Sequence, residues 1–506
     1  MDVTPEHIAG MIITRRHFIK GLGLVPIAAA AGCIKPRSNP QSGVLQNDVH
    51  SRLNQTRVHS VQMPDSPESA WKILKNTHYD GRAIAIAGGR HAMGGQQFGA
   101  NDVLIDTRRL SRVLEFDQHK GLVEVESGIH WPELMAWLQR AQAGIAVPWS
   151  IAQKQSGADR LSIGGAVAAN VHGRGLNMRP IISDIESIRL LNSSGQLLRC
   201  SRTENPELFS LAAGGYGLFG FVTSVTLRLR RRQRLQRVVQ LMDALNLMDS
   251  FKQRIAEGFL YGDFQFSTDS LSEDFLRKGI FSCYRPLEEA FKARTEHRRL
   301  RRNQWLELLH LAHTNPGRAF AIYSDYYLRT NGQLYWSDTH QMANYQDDYH
   351  AILDRRIHPG KGASEMITEL YVPRTKLAHF LMSAGVELRR SEAKVIYGTV
   401  RLIERDEDSF LPWARDSFAC VILNLCIQHT PEDIARNAAI FRSLIDIAKG
   451  FGGSYYLTYH RFASRDQVKA CHPRFEEFLE RKKSLDPGLL FQSDWYRHHL
   501  SLLERA

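Results

Sequence analysis

Two glycine-dense segments in the first half of the chain have the residue types of a phosphate-binding site. The first, GGRHAMGG at residues 88–95, follows the short apolar stretch AIAIA and has His91 near its centre. The second, GADRLSIGGAVAANVHGRG, spans residues 157–175. Glycines allow successive backbone N–H groups to converge on one anionic group. A tight β-turn is the alternative interpretation of the first segment alone, but two such loops favour a long ligand bound at both.

The composition indicates a folded protein of several domains. The chain has 506 residues, of which 43% are hydrophobic, and this length predicts roughly two to four domains. Its net charge is +12, with basic runs at residues 228–237 and 297–305. Such runs can meet nucleic acid or anionic lipid, but we interpret them as a solvated linker or helix face and expect no nucleic-acid partner. The six cysteines lack CxxC spacing, which argues against a zinc site and a disulfide framework.

The N-terminal segment has the pattern of an export signal. Arg15 and Arg16 precede a short apolar run that is too short to span a bilayer stably. Residues 1–33 therefore resemble a twin-arginine signal. Residues 30–33 also resemble a lipobox, so acylation of Cys33 and cleavage after an Ala-x-Ala sequence are the alternatives. Both predict a periplasmic location or the extracytoplasmic membrane surface, and residues 34–54 are interpreted as a linker.

From residue 55 onward the pattern alternates between strands and helices. Hairpins are predicted around residues 118–121 and 192–195, and helices over residues 131–142 and 206–213. The segment GGYGLFG, residues 214–220, contains a G-x-G-x-x-G. A helix precedes it and a strand follows it, which reverses the order of the dinucleotide-binding fingerprint. We therefore do not interpret it as that fingerprint.

The order of these pieces identifies a family. GGRHAMGGQ, LSIGGAVAANVHGRG, IRLLNSSGQLL and NPELFSLAAGGYGLFGFVTSVTLRL together resemble the FAD-binding domain of the vanillyl-alcohol oxidase (p-cresol methylhydroxylase, PCMH) flavoproteins, over residues 55–233. The resemblance implies an FAD cofactor whose pyrophosphate is wrapped by the first loop. The cofactor-binding residues that it implies are Gly88, Gly89, Arg90, His91, Ala92, Gly95, Gln96, Gly157, Ser162, Gly165, Asn170, His172 and Val222.

The resemblance also bears on how the flavin is attached. His91 occupies the position of a histidine that is often bonded to the flavin ring in this family. No cysteine lies between Cys33 and Cys200, and the doubly bonded members need one there. At most one covalent bond is therefore expected, through His91, with a noncovalent flavin as the alternative.

The rest of the chain predicts a second domain and an α+β fold overall. Residues 366–460 follow a β-α-β-β-α-β order, which gives an antiparallel sheet with helices on one face. We assign residues 234–450 to this substrate-binding cap, although residues 238–360 remain unplaced. Residues 451–506 resemble the C-terminus of the decaprenylphosphoryl-ribose oxidase and sugar-lactone oxidase branch, through LDP at 485–487 and FQSDWYR at 491–497. That tail is expected to return to the FAD domain.

The candidate catalytic residues come from the second loop and from the cap. By the resemblance, His172 lies beside the flavin, and Arg401 falls where related oxidases carry a cation that would stabilise the reduced flavin. The alternative interpretation of His172 is a histidine that packs at the end of the loop. The alternative for Arg401 is an outward-facing residue of its strand. Tyr459 and His460 are weaker candidates at the end of a predicted strand.

Two functional hypotheses follow from the resemblance. The first is an exported FAD-dependent enzyme that oxidises a hydroxyl of a sugar, polyol, sugar lactone or lipid-linked sugar by hydride transfer to the flavin. Oxygen or a quinone-type acceptor would reoxidise it, and membrane association is open. The second is a membrane-associated flavin-binding partner or electron carrier without substrate turnover.

Overall fold

The computed structural model describes residues 43–287, 298–343, 349–357 and 362–504. The predicted export signal, with Arg15, Arg16 and Cys33, lies outside these residues. None of the helices in the described ranges is long and apolar enough to cross a bilayer.

The first half of the described chain, up to residue 231, contains short strands and four helices. The strands are β1 Val44–Gln46, β2 Thr56–Val58, β3 Ser60–Gln62, β4 Ile84–Ala87, β5 Val103–Asp106, β6 Val113–Asp117, β7 Leu122–Glu126, β8 Trp149–Ser150, β9 Ile185–Leu191, β10 Leu197–Ser201, β11 Phe221–Arg228 and β12 Arg230–Arg231. The helices are α1 Pro67–Tyr79, α2 Trp131–Ala141, α3 Ile163–Ala169 and α4 Pro206–Ala212.

Two sheets of this half position the glycine loops. A parallel three-stranded sheet has the order β3-β5-β4, and the first glycine loop follows β4. An antiparallel five-stranded sheet has the order β10-β9-β11-β7-β6. Both hairpins predicted from the sequence, β6–β7 and β9–β10, are present. In β11, Phe221, Val225 and Leu227 are buried, and the alternation of a half-buried strand explains why these apolar residues share one face.

The second half contains longer strands and nine helices within the described residues. The strands are β13 Arg234–Asp243, β14 Tyr261–Phe266, β15 Lys278–Pro286, β16 Leu334–Trp336, β17 Ala363–Pro373, β18 Val395–Ile403, β19 Phe418–Gln428 and β20 Ser454–Tyr455. The helices are α5 Leu247–Ala256, α6 Arg302–Thr314, α7 Pro316–Leu328, α8 Tyr349–Ile357, α9 Leu377–Arg390, α10 Pro431–Gly450, α11 Arg465–Cys471, α12 Phe475–Leu485 and α13 Asp494–Glu504.

The strands of this half form one eight-stranded antiparallel sheet, in the order β16-β13-β15-β14-β18-β19-β17-β20. The predicted order β17-α9-β18-β19-α10-β20 is present. The segment that the sequence left unplaced supplies β13 to β16, which extend the sheet. One prediction was too long, since SYYLTYH forms a strand only at Ser454 and Tyr455.

Both faces of this sheet are covered. On one face Met366, Leu370 and Val372 of β17 join the large apolar core that includes residues of α5, α9 and α10. This is the predicted helical layer. On the opposite face β17 presents Glu365 and Glu369, because alternate strand residues point to opposite sides. Helices α6 to α8 pack against part of this second face.

Residues after α12 return to the first half of the chain. The Ile84 N–H donates to the carbonyl of Leu490 at 2.7 Å, and the Gln492 N–H donates to the carbonyl of Ile84 at 2.9 Å. Leu490 and Phe491 are buried in the same apolar cluster as Ile84. The edge of β4, just before the first glycine loop, is therefore closed by residues 490–492.

Candidate active site

A cavity of about 860 Å³ connects the two glycine loops with the second face of the eight-stranded sheet. Residues 88–93 line it from the first loop, and residues 161–172 contribute Leu161, Ser162, Gly164 and Gly165 from the second. From the sheet, Glu369 and Arg401 reach the same space. The cavity thus brings together residues from both halves of the chain.

The two loops contact each other through glycines. A Cβ atom on Gly88 would lie 1.9 Å from the Ser162 side chain, and one on Gly89 would lie 2.3 Å from the Arg160 carbonyl oxygen. No residue with a side chain fits such distances, so these positions explain the glycines physically. The backbone of the first loop consequently lies directly against the start of α3.

One ring nitrogen of His91 contacts the second loop and the other contacts His50. Its Nε2 lies 3.0 Å from the Arg160 carbonyl oxygen, and its Nδ1 lies 2.8 Å from Nε2 of His50. Burial, together with the neighbouring His50, lowers the pKa of His91 to about 3. The imidazole is therefore neutral at ordinary pH. Since a carbonyl only accepts, Nε2 carries the proton and Nδ1 accepts from His50.

His172 lies at the end of the second loop and pairs with an acidic residue of the sheet. Its Nε2 lies 2.6 Å from Oε1 of Glu369 on β17, and its Nδ1 lies 3.0 Å from the Gly173 carbonyl oxygen. Both side chains are at most 3% exposed. Cys420 completes a group whose possible ligand atoms all lie within 4.8 Å of one another. Within that group, His172 and Glu369 are already bonded to each other by one short hydrogen bond.

Arg401, on β18, lies beside His172 at the same end of the cavity. One of its terminal nitrogens is 3.5 Å from the Gly173 carbonyl oxygen, and its Nε has no hydrogen-bond partner in the described structure. The side chain is 7% exposed, and none of the described carboxylates lies within salt-bridge distance of it. A buried cation without a carboxylate is costly, so the site has charge to offer a ligand.

Tyr459 lines the cavity next to Glu369, in the turn that follows β20. Burial raises the pKa of Tyr459, and the Glu369 carboxylate raises it further. His460 points the other way. It stacks on Phe441 at 4.7 Å and its Nε2 lies 3.2 Å from the Thr368 hydroxyl, so its ring belongs to the core behind the sheet.

Two of the predicted cofactor-binding residues lie behind the cavity rather than on its wall. Gly95 has a φ of +77° and faces Asn54 and Arg461. Asn170 ends α3 in the left-handed region, and its side chain bonds Asp406 and the Ile182 N–H. The remaining predicted cofactor residues line the cavity: Gly88, Gly89, Arg90, His91, Ala92, Gln96, Gly157, Ser162, Gly165, His172 and Val222.

The polar residues that the sheet presents to the cavity were not predicted from the sequence. Glu369 was hidden inside the apolar stretch MITELYV, where a buried carboxylate is itself an unusual signal. On β14, Asp263 lies 3.2 Å from the Arg174 guanidinium and also accepts from Gln265 at 3.2 Å. The cavity is lined by these four residues and by Asn424 of β19: Glu369, Asp263, Arg174, Gln265 and Asn424.

The described residues fit an FAD. The close-packed glycines bring the backbone of residues 88–92 to the cavity wall, and backbone N–H groups of such a loop are what a pyrophosphate needs. The cavity touches both loops and the sheet, and the His172–Glu369 pair and Arg401, which has no carboxylate partner among the described residues, lie on its sheet side.

Comparison with known proteins agrees with this fit. Residues 59–201 match the FAD binding domain family. The chain is 23% identical over 449 residues to L-gulono-1,4-lactone dehydrogenase of Mycobacterium tuberculosis (strain ATCC 25618 / H37Rv), covering 87% of this chain and 96% of that protein. It is 27% identical over 196 residues to the mitochondrial L-galactono-1,4-lactone dehydrogenase of Brassica oleracea, covering 38% of this chain and 31% of that one.

A mammalian relative matches the same part of the chain. L-Gulonolactone oxidase of Bos taurus is 25% identical over 191 residues, covering 37% of this chain and 41% of the relative. The matched segment therefore spans less than half the length of the plant and bovine relatives. Residues 59–201 are thus similar to an FAD-binding domain, within a chain of α+β fold, and FAD is the cofactor that this domain indicates.

Proposed function

We propose that the protein oxidises a secondary or lactol hydroxyl of a sugar, polyol, sugar lactone or lipid-linked sugar. FAD, when bound, supplies the hydride acceptor. The observation that carries the proposal is the 2.6 Å contact between His172 and Glu369 at the cavity wall. A dehydrogenation needs a group that takes the hydroxyl proton while the hydride leaves, and this pair has the means to do so.

The proton positions follow from the partners. The Gly173 carbonyl accepts only, so Nδ1 of His172 carries a proton. A second proton must then lie in the contact between Nε2 and Glu369, because two lone pairs would repel at 2.6 Å. The Glu369 carboxylate also faces the Tyr459 hydroxyl, and it is the group proposed to accept the substrate proton. In this proposal Glu369 is the base, and His172 orients it and offsets its charge.

Arg401 is proposed to balance charge at the same end of the cavity. Its guanidinium is buried and without a carboxylate partner among the described residues. A fixed cation of this kind stabilises negative charge that develops during the reaction. Tyr459, with its raised pKa, stays protonated. Its hydroxyl lies against Glu369 and Gln155, so it is proposed to help position the base.

The substrate class is inferred from the chemistry of the cavity wall. Besides the residues above, Asp263, Gln265 and Asn424 line it, and such side chains suit a polyhydroxylated ligand. The relatives carry names of lactone dehydrogenases and of a lactone oxidase, which supports a sugar-lactone-type substrate. Either oxygen or a quinone-type compound is proposed as the electron acceptor.

Export by the twin-arginine route is part of the proposal. It rests on Arg15 and Arg16 ahead of the short apolar run, and it fits a protein that must fold around its cofactor before crossing a membrane. A location in the periplasm or at the extracytoplasmic membrane surface follows, with acylation of Cys33 as the route to an anchor.

Covalent attachment of the flavin through His91 stays a prediction. Its support is that the imidazole is neutral, which is the nucleophilic form. The lone pair on Nδ1 is used by His50. An attachment at that nitrogen would therefore replace the His50 bond and leave the bond to Arg160 in place.

The test of the proposed activity is anaerobic reduction of the purified yellow protein. A panel of aldonolactones, polyols and sugars is added, and the flavin absorbance is followed. Bleaching by at least one polyhydroxylated compound is expected, followed by recovery in air or with a soluble quinone. If no member of the panel bleaches the flavin while dithionite does, the electron-carrier hypothesis replaces this one.

A further inference from the structure

Among the described residues, the cavity wall carries more cations than carboxylates. Its arginines are Arg90, Arg174, Arg237, Arg298, Arg299 and Arg401. Its carboxylates are Asp263, Glu365 and Glu369. Each carboxylate already has a basic partner, and these partners are Arg174 at 3.2 Å, His313 at 3.0 Å and His172 at 2.6 Å. The other arginines therefore give the wall positive charge that its own carboxylates do not neutralise.

Arg237, on β13, is held in a cage of tyrosines. Its side chain lines the cavity and is 7% exposed. Its Cζ lies 5.1, 4.8 and 4.9 Å from the ring centres of Tyr284, Tyr327 and Tyr335. Aromatic faces attract a guanidinium but carry no net charge. The cage therefore fixes the position of the cation without neutralising it.

The hydrogen bonds of Arg237 leave part of its guanidinium for a ligand. Nε and Nη1 donate to the hydroxyls of Tyr284 and Thr330, each at 2.9 Å, and Nη2 donates to the same Tyr284 hydroxyl. Each terminal nitrogen of a guanidinium carries a pair of N–H groups. Each terminal nitrogen of Arg237 thus retains an N–H without an acceptor among the described residues. Such groups allow the paired hydrogen bonds with which arginine binds a carboxylate.

A continuous series of contacts connects Arg237 with the end of the cavity that holds the proposed base. There Arg401 lies 3.5 Å from the Gly173 carbonyl oxygen. The next residue in the chain, Arg174, has its Cζ 5.2 Å from the ring centre of Tyr284. The hydroxyl of the same tyrosine accepts from Arg237. Arg237 therefore lies in the same cavity as the base, beyond Arg174.

The groups around Arg237 do not cancel its charge. Asp263 is bonded to Arg174 at 3.2 Å, so its charge is already used. His340 lines the same wall. Burial lowers the pKa of His340 well below its usual value, and the charges of Arg174 and Arg237 lower it further. The ring is consequently neutral, and the lowered pKa reflects the positive potential in this part of the cavity.

We propose that Arg237 binds a carboxylate of the substrate, which makes the substrate a sugar acid or its lactone rather than a neutral sugar. This inference rests on the proposed function, because it names a further feature of the same substrate. A single cation without a partner matches a singly charged group. A phosphate monoester carries about 1.5–2 negative charges at neutral pH and matches it less well.

The experiment compares two lactones that differ in one group. D-Glucaro-1,4-lactone has a carboxylate where D-glucono-1,4-lactone has a hydroxymethyl group. The flavin-loaded full chain is reduced with dithionite, desalted under nitrogen and titrated with each lactone in a calorimeter, so that no turnover occurs. We expect the lactone with the carboxylate to bind at least about tenfold more tightly, as for hydrogen bonds to a charged group. The ratio of the two affinities should fall at high salt.

The variants test whether Arg237 is the source of this ratio. Arg237→Gln should reduce it to about twofold or less, and Arg237→Lys, which keeps the charge, should retain most of it. Arg234→Gln is the matched control, because Arg234 lies on the same strand and stacks on Trp336 at 4.9 Å, and it should leave the ratio unchanged. If Arg237→Gln loses its flavin, Tyr284→Phe replaces it. That change removes the hydroxyl that holds Arg237 and should also lower the ratio.

Three results would overturn the inference. They are equal binding of the two lactones by the parent protein, an unchanged ratio in Arg237→Gln, and the same fall of the ratio in Arg234→Gln. Tighter binding of D-glucose 6-phosphate than of D-glucuronate would contradict the assignment to a carboxylate.

Failure of the proposed function would be seen separately. In that case no compound bleaches the oxidised flavin, even one that binds tightly to the reduced protein. Bleaching by neutral lactones, without tighter binding of the carboxylate, would overturn this inference alone.

Discussion

Replacing Glu369 with glutamine removes the proposed base and keeps the size of the side chain. An amide cannot take a proton, and it turns the 2.6 Å contact with His172 into a neutral hydrogen bond at best. General base catalysis contributes roughly 10²–10⁴ in rate, which corresponds to about 3–5 kcal/mol of transition-state stabilisation. The flavin should still bind, because the glycine loops that are expected to hold it do not involve Glu369.

The assay is stopped-flow reduction of the flavin under anaerobic conditions, with a compound that bleaches the parent protein. Glu365→Gln is the matched control, because Glu365 lies four residues earlier on the same face of β17 and also pairs with a buried histidine, His313, at 3.0 Å. We expect Glu369→Gln to slow reduction at least a hundredfold and Glu365→Gln to change it less than about threefold. Equal slowing in both, or normal reduction in Glu369→Gln, would refute the assignment.

Four other predictions concern single features. Arg401→Ala should retain flavin and slow its reduction by about a hundredfold, and unchanged kinetics would remove the residue from the site. Lysine at both Arg15 and Arg16 should leave flavin-loaded precursor in the cytoplasm, and normal periplasmic levels by fractionation would contradict the twin-arginine proposal. After acid precipitation, flavin should remain on the peptide that contains His91, whereas flavin wholly in the supernatant would mean a noncovalent cofactor. His313→Gln should destabilise the protein most below pH 6.5, by up to about 3 kcal/mol in urea unfolding, and a loss independent of pH would contradict it.

The sign of the last prediction follows from the direction of the pKa shift. Burial alone would lower the pKa of His313, but its bonds to Cys426 and Glu365 raise it to about 9. A histidine whose pKa is higher in the folded state binds its proton more tightly there. Its contribution to stability is complete below the unfolded pKa of about 6.5 and disappears as the pH rises through 9.

The local spacing of apolar residues was sufficient to predict most of the helices and strands. The elements β17, α9, β18, β19 and α10 follow from alternating or helical apolar spacing, and the structure has each within a few residues. The predicted strand SYYLTYH failed after Tyr455, because its later residues are used for contacts across the cavity instead of strand pairing. Tyr459 borders Glu369, and the Tyr456 hydroxyl bonds the Ala169 carbonyl.

The site was harder to infer than the fold because its partners are far apart in the chain. His172 was identified through the glycine loop, but Glu369 is 197 residues away, and a carboxylate within an apolar strand does not reveal which distant residue it pairs with. Asn170 shows the opposite error. It lies in the loop that contacts the cavity, yet its buried side chain is fully used by Asp406 and the Ile182 N–H, so its role is to shape the loop.

The pairing of Ile84 with residues 490–492 makes assembly of the cofactor site a late event. During synthesis β4 and the glycine loop leave the ribosome early, but the edge of β4 stays open until a segment some four hundred positions later has emerged. We therefore expect cofactor loading to follow completion of translation, so that a chain ending before residue 490 should retain less flavin than the full chain.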